Sequence, residues 1–420
     1  MSRTSDGAVQ ESLFPADGLR IRKVSSPKRK PADRSVLADL FPYYAGFSYK
    51  FACELLQDTC SGESDLVLDP WNGSGTTTLA AQAIGLKSVG VDLNPIANLV
   101  AQFRAQTGPA AVHQPPVRHR RKINSNDPLL DWLHPTTTGR IRDWTETLRE
   151  RKDGSAILAF LALFRVVRTI TKRFEGSNPT WVRRARNDEE IVKLAARQLD
   201  ELIVIEQQTL LDRLRGEAPT RAPALIATGS STKLPLGDAS IDVILTSPPY
   251  LTRIDYAVSY ARELAVLGIN IASDRTLRSA LMGTTLIRKA DPYRERPYGT
   301  NAASLVASVS QHHSKASSGY YLKQTIQYLD DLIASLKEIS RVTRAGGALT
   351  MVVQDSYYKD IHVNLAEICA EEAERMDWQL TDWTQFEVGR SWTTVNTAAR
   401  AYPKGKVAET VMTLRRGKDE

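Results

Sequence analysis

The chain is poor in cysteine: three in 420 residues, Cys53, Cys60 and Cys369, with no Cys-x-x-Cys pair and no Cys/His cluster. That pattern argues against a disulfide framework and a structural zinc site, and predicts a reducing compartment. Long apolar runs are also missing. Nothing reaches the ~18 consecutive apolar residues of a membrane-spanning helix, and the opening MSRTSDGAVQES lacks the apolar centre of a secretory signal. A cytoplasmic protein is therefore expected. Charge of one sign does not dominate: 55 Lys and Arg stand against 48 Asp and Glu, for a net charge of +7. Such an excess suits a polyanionic partner without requiring one. What is present is ordinary globular material, 42% hydrophobic and 25% charged, enough for a large core.

Residues 1–36 are polar and include the basic run KVSSPKRKPADR, which reads as a flexible leader. Within 37–106, the run Leu66-Val67-Leu68 predicts a short buried strand, a glycine-bearing loop follows, and a helix is expected over Thr77–Ile84. SVGVDLN predicts a second strand, and another helix begins at Pro95. A β-α-β unit implies a parallel sheet. Residues 107–222 change character. A Pro-rich basic stretch leads into helical patterns, and AILAFLALFRVV, interrupted by Arg165, predicts a buried helix. Within 223–420, ALIATGS and IDVILTS predict strands, and 270–320 reads as irregular. YLDDLIASLKEISRV predicts an amphipathic helix stopped by Gly346-Gly347, ALTMVVQD another strand, and QLTDWTQFEV with KVAETVMTLRR an antiparallel edge. The adjacent His312-His313 falls in a polar stretch and predicts a surface loop, and no metal site is expected.

Two loops carry chemistry. In LDPWNGSGTT, Gly73 and Gly75 permit backbone angles and a close ligand approach that a Cβ would forbid. The helix start after Thr76 offers free N–H groups to an electron-rich ligand. No lysine follows the glycines, and the spacing is not Gly-x-Gly-x-x-Gly, so a pyrophosphate is a poor ligand. Asp92, at the end of the second strand, is placed to accept both hydroxyls of a ribose; capping the helix begun at Pro95 is the alternative. A nucleoside cofactor without a pyrophosphate follows, and S-adenosylmethionine fits.

The second loop is ILTSPPY, where an apolar strand ends in Ser247, Pro248, Pro249 and Tyr250. Two prolines remove two donors and stiffen the turn. What remains is a rigid set of acceptors followed by a flat ring. That combination suits an exocyclic amine of a nucleobase: two acceptors take its N–H bonds and direct its lone pair at an electrophile, while Tyr250 stacks on the base. A turn that merely packs a tyrosine into the core is the alternative.

DPWNGSGTT, GVDLNP and TSPPY together resemble the motifs of the DNA amino-methyltransferases, which methylate cytosine N4 or adenine N6. FPYYAGFSYKF is similar to the segment of that family that closes over the methionine end of the cofactor, and the stretch from Tyr328 to Ser356 to the helix and strand after the catalytic loop. The matching pieces are mainly 41–105, 224–265 and 325–357. The resemblance implies a three-layer α/β/α Rossmann-like class I methyltransferase fold, its sheet mostly parallel with an antiparallel edge, in residues 37–106 and 223–420. The 107–222 segment becomes a mainly helical insertion and a candidate target-recognition region. The implied cofactor is S-adenosylmethionine, held by Phe47, Lys50, Asp69, Pro70, Asn72, Gly73, Gly75, Thr76, Asp92 and Leu93, with Phe51 in the same segment. The implied partner is double-stranded DNA, and a cognate restriction endonuclease is admitted. Ser247, Pro248, Pro249 and Tyr250 would hold the target amine. Serine at the first position resembles the cytosine-N4 branch, and adenine N6 stays open.

The chain departs from that pattern in two places. ATGSSTKLPL lacks the acid that often contacts the cofactor adenine, so Ser230 or Ser231 is the expected substitute. The large insertion puts target recognition in 107–222, helped by 270–320, with RHRRK, WVRRARND and Arg253 as phosphate contacts; solvated helix faces explain the basic runs equally well. Asp255 and Tyr256 are expected to brace the turn. No Pro-Cys pair occurs, which argues against carbon-5 methylation. The rivals are an RNA base-amine methyltransferase, a protein glutamine methyltransferase and a DNA-binding subunit with an inactive methyltransferase fold.

Overall fold

The computed structural model describes residues 25–28, 37, 40–41, 46–62, 64–106, 110–151, 153–176, 181–215, 222–251, 255–288, 294–314, 317–388, 405 and 407–417. Most of the leader, part of the cofactor-closing segment (residues 42–45) and Arg253 lie outside these.

Seven strands form the main sheet: β1 (Leu66–Asp69), β2 (Lys87–Asp92), β3 (Ala224–Thr228), β4 (Ile241–Thr246), β5 (Thr343–Gln354), β8 (Trp378–Val388) and β9 (Val407–Arg416). A small hairpin pairs β6 (Ser356–Tyr358) with β7 (Ile361–Val363). The strand order is β3-β2-β1-β4-β5-β9-β8. The pairings from β3 to β5 are parallel; β9 runs antiparallel to both β5 and β8. The expected antiparallel edge is therefore present, with the last strand inserted inside the one before it.

Parallel strands need crossovers, and helices α1 (Tyr49–Thr59), α2 (Thr76–Ala83) and α3 (Pro95–Arg104) flank the first two strands. Side chains alternate along each strand, so neighbours face opposite layers. Val67, Val243 and Leu245 pack with Phe51, Leu55 and Leu56 of α1. Leu68 and Ile244 pack on the other face, with Leu329, Leu332 and Leu336. Those three leucines belong to α11 (Leu322–Val342), whose apolar stripe fits the expected amphipathic helix. α11 ends at Val342, before the glycine pair. Gly346 and Gly347 lie instead in an irregular stretch of β5, where Ile241 faces Thr343 but Val243 faces Ala348. A Cβ at Gly347 would sit 2.5 Å from the Thr343 side chain, so the irregular stretch requires glycine there.

The insertion supplies α4 (Pro135–Arg149), α5 (Gly154–Ile170) and α6 (Ala196–Arg215). Its described residues form no separate core. Phe164 and Leu163 of α5 share one apolar cluster with Phe103 and Val100 of α3. That cluster continues into α8 (Ala261–Val266), just beyond the short α7 (Tyr256–Ser259). Arg168 of α5 pairs with the buried Glu263 of α8 at 2.7 Å.

The 270–320 region is less irregular than expected. It holds α9 (Thr276–Ala280) and the twelve-residue α10 (Thr300–Gln311), and α12 (Leu365–Glu374) follows beyond α11. Ala302, Leu305 and Val309 give α10 a helical apolar stripe too sparse to stand out among serines and alanines. His312 and His313 lie in the loop after α10, as expected, with His313 exposed. The His312 side chain turns inward, 5% exposed, with Nε2 2.8 Å from Asp360 and Nδ1 3.2 Å from the Ser317 hydroxyl.

Candidate active site

The strand order reverses direction between β1 and β4, and the carboxyl ends of these strands open into a crevice. Ligands of open α/β sheets sit at such switch points. The crevice encloses about 1000 Å³, counting the space at its mouth.

Asp69 ends β1 and joins the two loops. Its Oδ2 accepts from the Thr77 hydroxyl of α2 (2.6 Å), and its Oδ1 from the Thr246 hydroxyl at the end of β4 (2.6 Å) and the Trp71 N–H (3.1 Å). One carboxylate thus fixes the glycine loop relative to the residue preceding Ser247. Burial pushes its pKa up to about 6, against the pull of those donors.

The glycine loop divides its work. Gly73 has φ +49°, and its N–H donates to Asp92 Oδ2 (2.8 Å). Gly75, with φ +82°, is not a wall of the crevice. A Cβ there would meet the Ala101 methyl at 2.8 Å, so its smallness lets α2 approach α3. Gly90 of β2 has a similar role: a Cβ would fall 2.3 Å from the Asn72 side chain. Three buried donors along this wall, Trp71 Nε1, Asn72 Nδ2 and Asn94 Nδ2, have no partner among the described residues. Buried polar groups are normally satisfied, so this wall suits a ligand that brings acceptors.

Asp92 lines the same crevice, with Oδ1 accepting from the Asn94 N–H (2.8 Å). The helix-cap role weighed for it belongs to Asn94, whose side chain accepts from the Ile96 N–H, with Pro95 at the first helical position. Burial raises Asp92 to about 6; the Asn94 and Gly73 N–H groups oppose the rise. The spare lone pairs of its carboxylate remain suited to hydroxyl donors.

The Ser-Pro-Pro-Tyr turn forms the facing wall. The buried Tyr328 of α11 donates its hydroxyl to the Pro249 carbonyl (2.7 Å). Ser247 and Pro248 line the crevice, so the Ser247 hydroxyl and the Pro248 carbonyl are the turn's candidate acceptors there. Asp255 caps α7 and accepts from the Thr285 hydroxyl (2.8 Å) and Arg278 (2.9 Å), so it braces the segment that crosses the turn.

Of the residues expected at the site, Phe47, Asp69, Pro70, Asn72, Gly73, Thr76, Asp92, Leu93, Ser247, Pro248 and Pro249 line this one crevice. Three do not. Gly75 packs helices. Lys50 sits on the exposed side of α1, 3.9 Å from Glu54. Tyr250 packs against the α11 core, with its hydroxyl 3.4 Å from that of Ser247. The ring facing the crevice from this side is Tyr256, expected only as a brace. Ser230 and Ser231 line the crevice as expected, although Ser230 bonds to Thr232 and Ser231 to Ser335 (both 2.8 Å). Arg288 and Asp331 were not anticipated. Nothing in the local sequence marks them, because each reaches the crevice only through packing against distant chain. Among the basic runs of the insertion, Arg121 pairs with Asp143, Arg183 with Glu190 and Arg184 with Asp131. Part of that charge is structural.

A family profile described as "DNA methylase" matches residues 17–102, the stretch containing the glycine loop and Asp92. Among curated proteins, the chain is 26% identical over 286 residues to the type II methyltransferase M.BsoBI of Geobacillus stearothermophilus, covering 59% of this chain and 56% of that one. It is 22% identical over 378 residues to the type II methyltransferase M.AvaI of a Nostoc strain, covering 81% and 78%. The chain thus spans little more than half the length of M.BsoBI. A solved SAM-dependent methyltransferase of Methanosarcina mazei overlays 87% of this chain and 98% of its own, at 9% identity and TM-score 0.34, too loosely to bear on function.

Proposed function

We propose that this chain, which matches the DNA methylase family over its glycine-loop segment, transfers a methyl group from S-adenosylmethionine to an exocyclic amino nitrogen of a DNA base, with cytosine N4 favoured. The observation that carries this reading is the shared crevice: Asp69 bonds to both Thr77 and Thr246 and holds the glycine loop beside the Ser247–Pro248 acceptors.

The residues fit the cofactor. The unpartnered donors of Trp71, Asn72 and Asn94 suit a carboxylate, and Asp92 suits ribose hydroxyls. Arg288 is the single cation on the crevice wall among the described residues, which suits a ligand without phosphates. When bound, S-adenosylmethionine supplies an electrophilic methyl carbon. The chain does the rest. Ser247 Oγ and the Pro248 carbonyl accept the two N–H bonds of the amine and turn its lone pair toward that carbon. The surplus proton of the methylated nitrogen leaves through the Ser247 hydroxyl toward solvent. A base must leave the duplex to enter this crevice, and Tyr256, the ring on this wall, is available to stack on it. Serine at the first position of the turn favours cytosine N4. Likeness to type II methyltransferases supports a place beside a restriction endonuclease. The insertion, with Trp181 57% exposed, is the proposed reader of sequence.

The test is to express the chain in a host lacking DNA methylation, digest the DNA to nucleosides and identify products by mass spectrometry. N4-methylcytosine is expected. N6-methyladenine would move the reading to the other branch. Methylated RNA alone, or cofactor binding with no methylated nucleic acid, would favour the RNA enzyme or the inactive subunit.

A further inference from the structure

Arg288 enters the crevice from a segment that the reaction above does not use. The segment first crosses the catalytic turn: Met282 walls the crevice, and a Cβ at Gly283 would lie 3.6 Å from Pro249 Cβ. It is then fastened to α11. The buried Gln327 donates to the Leu286 carbonyl (3.0 Å) and accepts from the Arg288 N–H (2.8 Å). The Arg288 head pairs through Nη2 with Asp331, one helical turn beyond the Tyr328 that holds the Pro249 carbonyl. Backbone and head are thus both held, while no hydrogen bond among the described residues engages Nε or Nη1.

A guanidinium anchored at Nη2 still presents a fork of donors, because the second Nη2 hydrogen pairs with Nε or Nη1. The turn presents acceptors to the same crevice. A base bound between them needs an amine for the turn and adjoining acceptors for the arginine. Cytosine has N4, then N3, then O2, and its N3–C2–O2 edge has the two-acceptor shape of a carboxylate. Adenine offers N6 and N1, followed by a C–H. We propose that Arg288 is a specificity residue that reads N3 and O2 of a flipped cytosine and so selects cytosine N4 over adenine N6, an inference that rests on the crevice being a DNA amino-methylation site. Asp331 orients the guanidinium and balances its charge while the site is empty of base.

The test uses the full chain, labelled S-adenosylmethionine and unmethylated duplex DNA, with products separated as nucleosides and cofactor affinity measured in parallel. Arg288→Ala is expected to lower kcat/KM for cytosine by about 10- to 100-fold, raise the ratio of N6-methyladenine to N4-methylcytosine, and leave the cofactor Kd unchanged. Arg288→Lys, which keeps the charge but loses the fork, should recover only part of the loss. Unchanged kcat/KM in Arg288→Ala would overturn the proposal. So would a loss matched by weaker cofactor binding, which would assign the side chain to the cofactor adenine. A wild-type product of N6-methyladenine alone would overturn the cytosine selection but leave DNA methylation standing, whereas a wild-type chain that methylates no DNA would strike the underlying reading itself.

Discussion

The two walls of the crevice are built differently. The glycine-loop wall is closed by contacts within one β-α-β unit: Gly73 reaches Asp92 across 19 residues, and Asn94 caps its own helix. The turn wall is assembled from distant chain: Tyr328 holds the Pro249 carbonyl across 79 residues, and Gln327 holds the Leu286 carbonyl across 41. A seat made by local backbone geometry is set as soon as its unit folds. A wall tied by side chains from several segments depends on each of them, and its alignment with the seat rests on Asp69.

That contrast can be broken most severely at the joint. Asp69→Ala takes the acceptor from the buried Thr246 hydroxyl and leaves the Thr77 hydroxyl only the Leu245 carbonyl at 3.1 Å. It should cost about 2–5 kcal/mol in a denaturant melt and abolish methyl transfer. Asp69→Asn should be milder, because burial already disfavours the charged form. Next in size, Gly90→Ala pushes a methyl into Asn72 and should weaken cofactor binding at least tenfold by calorimetry while the turn wall keeps its structure.

The pH dependence sharpens the distinction. Asp92 is raised to about 6 in the free protein, so below that pH it carries a proton and loses an acceptor. Cofactor affinity should fall as pH drops through 6, and Asp92→Asn should flatten most of that slope, with Asp69 as the remaining contributor. The same raised pKa works the other way on the free fold: its contribution to stability is fullest below pH 4 and is lost as pH rises through about 6. Tyr328→Phe removes one donor from the turn and should cost about 0.5–1.5 kcal/mol, read as a few-fold loss in kcat with cofactor Kd unchanged. The smallest effect is expected for Lys50→Ala. Its ion pair with Glu54 is exposed, so both stability and cofactor affinity should stay within about 0.5 kcal/mol of wild type.

These differences also explain what could be read in the sequence. β1, β2 and the glycine loop between them were legible because strand, turn and helix follow one another and each carries a local signal. The Ser-Pro-Pro-Tyr turn was legible for the same reason. Which glycine does what was not: Gly73 faces the crevice while Gly75 faces Ala101, a distinction set by α3. Lys50 shares the expected cofactor-closing segment with Phe47 but turns outward, because the helical period puts Phe51 and Leu55 against the sheet. Arg288, Asp331 and the inward turn of the His312 side chain depend on packing between segments far apart in the chain, for which no local pattern exists. Likewise, the insertion was recognised as helical, but its sharing of a core with α3 and α8 emerges only from the fold.

The central claim is that binding the methyl donor and presenting the amine are separate tasks on opposite walls of one crevice. The most direct test measures cofactor Kd and single-turnover methyl transfer to DNA in the same preparations of Ser247→Ala and Asp92→Ala. Ser247→Ala should bind the cofactor as wild type does and lose transfer by about 10- to 1000-fold, while Asp92→Ala should bind it weakly and recover transfer at saturating cofactor. A Ser247→Ala chain that transfers at the wild-type rate, or loses cofactor binding along with transfer, would contradict the account.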